Sequence, residues 1–297
     1  MIHSALAEQI ARYVSGDAIV ETVIPRLSLI RWSQAATPVH SFLRPALCII
    51  AQGAKEILLG DTVISYDPSY FLIASLDLPI TGMLTEASEE APYLCFCLDL
   101  DLENLPDLLM AAPPPPMQDG QFGLSLYPVT NEIVDAATRL TMLLGSPQDA
   151  AMIAPLVERE LLARLIVGPA GGLIRAIATS DSRVAQIARA IVWLRKHFCQ
   201  SFNGPELAEL AGMSLSSFHD HFRRATAMTP LQYQKRLRLQ EARRLMMAGP
   251  ITAAEAADLV GYDSPSQFSR EYRRLFGVPP RRDAADLRSA ILSPMGI

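Results

Sequence analysis

The sequence predicts a two-domain α+β chain. An N-terminal small β-barrel or sandwich with appended helices spans residues 1–181, and an all-α domain with two helix-turn-helix units spans residues 182–297. Three observations predict it. Short β-type runs crowd the stretch from Leu27 to Leu100, an internal repeat fills the last third, and the charge changes sign between the two parts. The chain has 297 residues, is 50% apolar and carries a net charge of -5. That composition excludes disorder, collagen and disulfide miniproteins. Residues 1–181 hold nine Lys and Arg against 21 Asp and Glu, a net of -12, whereas residues 182–297 hold 17 against 10, a net of +7. A basic domain joined to an acidic one suggests a polyanion partner for the first, with a merely solvated basic face as the plain alternative.

The β-type runs are Ala46–Ile50, Glu56–Leu59, Thr62–Tyr66, Tyr70–Ala74 and Tyr93–Leu100, separated by Gly53, Gly60-Asp61 and Asp67-Pro68. Evenly spaced short strands imply a barrel or sandwich. Pro113–Pro116, followed by Gln118-Asp119-Gly120, reads as an extended connector that ends this part. Helical spacing follows in Asn131–Leu144 and Ala151–Val167, where Ile153, Leu156, Val157, Leu161 and Leu165 form one apolar stripe. The stripe suits either packing on the β unit or pairing with a second copy of the chain. Gly168–Gly172 marks a break, and Asp181 or Ser182 caps the first helix of the basic part. The four cysteines, Cys48, Cys95, Cys97 and Cys199, form no C-x-x-C pair. Reduced thiols are expected. No uncharged apolar run reaches the ~18 residues of a membrane span, and Met1–Arg12 lacks the apolar block of a signal peptide. A cytoplasmic protein with no membrane partner is expected.

At an offset of 50 residues Ser214 matches Ser264, Phe218 matches Phe268, Phe222 meets Tyr272, Arg223-Arg224 match Arg273-Arg274, and Pro230 matches Pro280. Each copy follows a short helix with its own start signal, Asn203 ahead of Pro205-Glu206 in the first and the capping box Thr252–Glu255 in the second. Both short helices end at a glycine, Gly212 or Gly261, suited to a tight left-handed turn. The next helix restarts at Ser214 or at Ser264-Pro265, where Gln267 is expected to complete a second box. Aromatic residues at i and i+4 face inward in each second helix, leaving a polar and basic face to enter a groove. Paired helical repeats that bind protein are the alternative. Thr229–Met247 joins the units as one long helix with basic Lys235, Arg236, Arg238, Arg243 and Arg244. Reading heads in successive major grooves would lie ~34 Å apart.

Several segments resemble a known family. Glu206–Ser214, Gln240–Leu245, Ala256-Ala257 with Gly261-Tyr262, Ser266–Arg270 and Phe276–Pro280 are similar to the AraC/XylS-type DNA-binding domain over roughly residues 184–288. Arg44–Gly53, Leu59–Asp61, Tyr66–Pro68, Ser75–Pro79 and Pro92-Tyr93 resemble the AraC-type N-terminal, cupin-like sensor domain over about residues 20–165. The resemblance implies a transcription regulator that binds double-stranded DNA, responds to a small-molecule effector and is a homodimer through helices after the barrel. RNA polymerase is a further partner it admits.

On that reading the DNA-facing candidates are Ser216, His219, Asp220, Arg223 and Arg224 in the first unit, and Ser266, Gln267, Arg270, Arg273 and Arg274 in the second. Arg270 suits a bidentate guanine contact and Gln267 an adenine or a phosphate. The paired arginines suit phosphates. Asp220 departs from the basic residue usual in the family. It either reads cytosine N4 or pairs with Arg223 or Arg224 and contacts nothing.

In the sensor half, Tyr93, Cys95, Cys97 and Asp99 alternate onto one strand face, and Leu94, Phe96, Leu98 and Leu100 onto the other. Cys95 and Cys97 could meet an electrophile, an oxidant or a soft metal, although a free cysteine is ordinarily a small core residue. Trp32, Cys48 and Tyr66 join Tyr93, Cys95 and Cys97 as candidate effector-binding residues. His40 stands alone between His3 and His197, so the ligand set of metal-dependent cupins is not in the sequence, and no metal or other cofactor is expected. A cysteine-based electrophile or redox sensor, and a cupin-type enzyme with an appended helical domain, are the alternatives to reversible effector binding. No catalytic signature supports the enzyme. A barrel serving dimerisation alone is also open.

Overall fold

Turn residues set the strand ends in the first half. In the computed structural model, which describes residues 2–34, 38–101, 105–112, 123–249 and 251–292, Gly60-Asp61 and Asp67-Pro68 bound strands that match the expected ones. The expected connector at Pro113–Pro116 and Gln118–Gly120 lies outside the described residues. Two compact units emerge, Met1–Ala188 with Arg224–Ala227, and Arg189–Arg223 with Met228–Ile297.

The first unit runs α1 (Ile2–Tyr13), β1 (Ala18–Glu21), β2 (Leu27–Trp32), β3 (Val39–Leu43), β4 (Ala46–Gln52), β5 (Ala54–Leu59), β6 (Thr62–Tyr66), β7 (Tyr70–Ala74), β8 (Leu78–Glu86), β9 (Tyr93–Asp99), α2 (Leu105–Ala111), β10 (Leu124–Pro128), α3 (Asn131–Met142), α4 (Pro147–Val167) and α5 (Gly171–Ala178). Its strands form two antiparallel sheets, ordered β1-β2-β9-β4-β7-β10 and β3-β8-β5-β6. The expected barrel is therefore two separate sheets, an arrangement that fits a cupin-like jelly roll.

Register explains which residues face which way. Leu29, Phe96, Ile49, Phe71 and Tyr127 stand opposite one another across five strands. This row is buried, with the rings of Phe71 and Tyr127 stacked at 5.5 Å. Helix α1 lies against β2, β4 and β9 on that side and α3 packs on α1. Burial of each such side chain is worth about 1.5–3 kcal/mol. The next row, Ser28, Cys97, Cys48 and Leu72, faces the second sheet. Among the described residues no single helix is long and apolar enough to cross a membrane. The most apolar pair, α4 and α5, bends by 111° and buries Leu161, Leu165 and Ile174 inside the unit.

The helical part runs α6 (Arg183–Lys196), α7 (Gly204–Ala211), α8 (Leu215–Thr226), α9 (Pro230–Ala248), α10 (Ala253–Leu259), α11 (Pro265–Phe276) and α12 (Pro280–Leu292). Ser182 caps α6, its hydroxyl accepting from the Ala185 N–H at 3.0 Å. Thr229 and Thr252 each close a full capping box, with Gln232 and Glu255. Asn203 precedes α7 without a side-chain cap. Pro205 in the first turn supplies the start instead, since its fixed φ suits the helix and its missing donor is not needed there.

Candidate nucleic-acid interface and sensor face

Each helix-turn-helix unit is built on a glycine that no other residue replaces without strain. Gly212 and Gly261 hold φ of 67° and 82°, and a side chain at Gly261 would run into the Cys199 carbonyl. Past each turn a serine starts the next helix: Ser214 accepts from the Ser217 N–H at 3.4 Å, and Ser264 from the Gln267 N–H at 3.3 Å. The expected second half of the Ser264 box does not form. The Gln267 amide turns along its own helix to donate to Glu271 Oε1 at 3.2 Å, because i and i+4 side chains are neighbours on a helix face.

The inward aromatics fix the orientation of α8 and α11. Phe218 and Phe222 are fully buried, with Phe222 edge-on to Tyr233 at 5.7 Å. Phe268 and Tyr272 pack with Leu239, Ala242, Met246 and Val260. Tyr272 donates to Asp283 Oδ2 at 2.6 Å, Arg243 reaches the same carboxylate at 2.8 and 3.1 Å, and the Arg243 guanidinium lies 4.7 Å over the Phe276 ring. With the inner face so fixed, Ser216, His219, Asp220, Arg223 and Arg224 on α8, and Ser266, Gln267, Arg270, Arg273 and Arg274 on α11, are all exposed.

The basic residues of α9 are used differently. Arg238 donates to the carbonyls of Phe198, Gly261 and Gln200 at 2.6, 2.6 and 3.2 Å. Lys235 pairs with Glu271 at 2.6 Å, Arg243 with Asp283, and Arg244 with Glu241 at 2.6 Å. Arg238, Lys235 and Arg243 thereby tie α9 to other elements, whereas the Arg244–Glu241 pair lies within α9 itself. Glu271 is a hub that the sequence pattern did not reveal. It accepts from Lys235, from Tyr262 at 2.8 Å and from Gln267. Burial alone would raise its carboxyl, but those three hydrogen bonds outweigh burial and hold it below the ordinary value.

In the first unit the structure brings the candidate effector residues together. Trp32 stands opposite Tyr93, Ile30 opposite Cys95, and Cys48 opposite Cys97, so all share the inner face of the larger sheet. Tyr66 approaches from the second sheet, beside the three thiols and Tyr93. Lys55, opposite Tyr66 in β5, reaches the same region and lies over Gly82. Sequence reasoning missed Lys55, since one lysine in an alternating strand carries no signal. Burial and the neighbouring thiols push the Tyr66 hydroxyl well up, burial does the same to Tyr93, and burial pushes the Cys95 thiol up to about 12. The buried Tyr93 hydroxyl makes no hydrogen bond of ordinary geometry among the described residues, although Tyr66 and Cys95 lie beside it. Cys48 and Cys97 place their sulfurs 3.5 Å apart, while the Cys95 thiol turns to the Phe96 carbonyl. His40 bonds Thr81 at 2.8 Å.

The apolar stripe of α4 divides. Val157, Leu161 and Leu165 are buried within the unit, whereas Ile153 and Leu156 are exposed, Leu156 at 62%. The first three are therefore core and not available to a partner chain. Met152 and Val167 extend the exposed edge that the sequence pattern did not separate from the core. A bidentate pair between Arg26 and the buried Glu158, at 2.7 and 2.9 Å, fixes which side of α4 faces inward.

Residues 23–173 match the family described as AraC-type transcriptional regulator N-terminus, and residues 207–285 match that described as helix-turn-helix domain. The HTH-type transcriptional activators RhaS of Citrobacter koseri and Salmonella schwarzengrund are each 28% identical over 180 residues, 60% of this chain and 63% of theirs. The chain thus matches less than two thirds of the length of those relatives. In fold it is similar to apo ToxT of Vibrio cholerae, with a TM-score of 0.59 at 10% identity over 90% of this chain and 100% of that one. ToxT bound to (E)-4-(8-methylnaphthalen-1-yl)but-3-enoic acid gives a TM-score of 0.51 at 12% identity over 88% of this chain and 98% of that one.

Proposed function

The chain belongs to the AraC-type transcriptional regulators, and from that premise we propose that it binds double-stranded DNA sequence-specifically through α8 and α11. One observation carries the reading. Two helices, 50 residues apart in sequence and pinned by buried aromatics, each present an Arg-Arg pair and a polar first turn to solvent. Arg270 and Gln267 read bases, Ser216, His219, Asp220 and Ser266 line the same faces, and Arg223, Arg224, Arg273 and Arg274 hold phosphates. Four phosphate contacts per chain give a salt slope of about -3.6.

The functional boundary lies at residues 181 and 182, with sensing and dimerisation before it and DNA binding after it. A small molecule binds between the sheets against Trp32, Tyr66, Tyr93 and the thiols. The buried hydroxyl of Tyr93, which makes no hydrogen bond of ordinary geometry to the neighbouring Tyr66 and Cys95, supports a polar contact to that molecule. The protein acts as a homodimer through the exposed edge of α4, Ile153 and Leu156, and works in the cytoplasm, where its DNA and RNA polymerase are. On this proposal the sheets serve sensing and not catalysis.

The test is binding of the full chain to its own upstream DNA at several salt concentrations, against a random duplex of equal length. A protected region covering two adjacent major-groove segments per subunit is expected. Binding no tighter than to random DNA, there and in a wider genomic pool, would overturn the proposal.

A further inference from the structure

Cys48 of β4 stands directly opposite Cys97 of β9 in an antiparallel pair. Directly opposed residues hold their Cα atoms about 4.5–5.5 Å apart, within the ~4.4–6.8 Å that a disulfide bridges. The two sulfurs already touch at 3.5 Å. Cys95, two residues along the same strand, is buried and gives its thiol to the Phe96 carbonyl. Cys199 belongs to the other compact unit. Of the two residues, Cys97 is partly buried and Cys48 is buried.

We propose that Cys48 and Cys97 form a redox-active dithiol, which a hydroperoxide converts into a disulfide joining β4 and β9. The sulfur of Cys97, the less buried residue of the two, having lost its proton, attacks one peroxide oxygen. The O–O bond breaks, leaving a Cys97 sulfenic acid and an alkoxide that takes up that proton as the alcohol. The Cys48 sulfur then attacks the Cys97 sulfur, the S–O bond breaks, and the departing hydroxide takes the Cys48 proton as water. Two thiols and one hydroperoxide thus give one disulfide, one alcohol and one water, two electrons passing from the sulfurs to the peroxide. The order follows from the surroundings. The hydrogen bond with Cys97, together with burial, holds the Cys48 thiol well above its ordinary range, so Cys48 is the poorer first nucleophile. Closing the bridge needs no new strand pairing, since the two backbones are already in register. It removes two thiols from the wall beside Tyr66 and Tyr93.

The test uses the reduced full-length chain, treated with tert-butyl hydroperoxide, alkylated, and read by intact mass and peptide mapping. A loss of about 2 Da before alkylation, two fewer alkyl groups than the reduced chain after it, both reversed by dithiothreitol, and a peptide joining Cys48 to Cys97 are expected. The same link forms in Cys95→Ser and Cys199→Ser, which leave the pair whole. In Cys48→Ser the disulfide is lost and a dimedone adduct accumulates at Cys97. Unchanged mass under conditions that oxidise a free dithiol peptide, or a link that uses Cys95, Cys199 or a second chain, would overturn the proposal. The dithiol does not rest on the DNA reading. Wild-type protein that forms the link but gives no specific DNA protection, reduced or oxidised, sinks only the latter.

Discussion

Truncating Arg270 to alanine separates base reading from phosphate attachment. The side chain is exposed on α11, and no hydrogen bond or ion pair engages it among the described residues. Its loss therefore disturbs the fold by no more than about 0.5 kcal/mol. A bidentate guanine contact is worth about 1–3 kcal/mol of discrimination, which is about 5- to 150-fold in affinity. Arg273, equally exposed three residues on, serves as the comparison. A preferred duplex is first selected by the wild-type chain from a random pool. Anisotropy titrations at several salt concentrations then give Kd for that duplex, its single-base variants and a random duplex. Arg270→Ala is expected to lose 5- to 150-fold on the preferred duplex only and to become indifferent at one base pair. Arg273→Ala is expected to weaken every duplex alike and to reduce the salt slope by about 0.9. Equal losses for Arg270→Ala on preferred and random DNA, with base preferences unchanged, would refute its role as a reader.

Three further outcomes follow from the geometry. Tyr272→Phe removes a buried hydrogen bond to the Asp283 carboxylate and should cost about 1.5–3 kcal/mol, seen as faster hydrogen exchange in α11 and α12; unchanged exchange there would count against the network. The Glu271 carboxyl is held below its ordinary value of 4.5, so its stabilising contribution is complete above that pH and is lost as the pH falls through the lower folded value. Glu271→Gln should therefore lower the urea midpoint at about pH 7 and converge with wild type in acid, and a gap that stays constant with pH would contradict this linkage. Leu156→Glu should leave the fold intact, because the side chain is 62% exposed, yet turn a dimer into a monomer in sedimentation. A dimer that survives the change places the contact elsewhere.

Strand ends were legible where turn chemistry was explicit. Thr62–Tyr66 and Tyr70–Ala74 match β6 and β7 to the residue because Gly60-Asp61 and Asp67-Pro68 punctuate them. Strand β8 was hidden by Pro79 and Gly82. It lies between β3 and β5, but Pro79 falls beyond the β5 register and meets only Phe42 of β3, so its missing donor is not required. The short, half-exposed β1 and β3 carry too little apolar pattern to be seen. The α4 stripe was real in period, but which half is core depends on the Arg26–Glu158 pair, formed across 132 residues. The exposed candidate residues of α8 and α11 could be read because two copies share one phase. Glu271 and Asp283 could not, since Lys235 reaches the first, and Arg243 and Tyr272 the second, from other helices. Likewise Cys48 opposing Cys97 is a matter of strand register, which spacing along the chain does not encode.

The Asp283 carboxylate, buried where α9, α11 and α12 meet, takes Tyr272 from one helix and Arg243 from another. A helix held in this way has no second resting position at low cost, because sliding α11 would strand a buried hydroxyl and a buried charge together. On the proposed reading, the second reading head is thus a finished part before DNA or effector arrives. Control of it would then act on α11 as a whole, by changing where it is presented or how often it is released, and not by remoulding the helix.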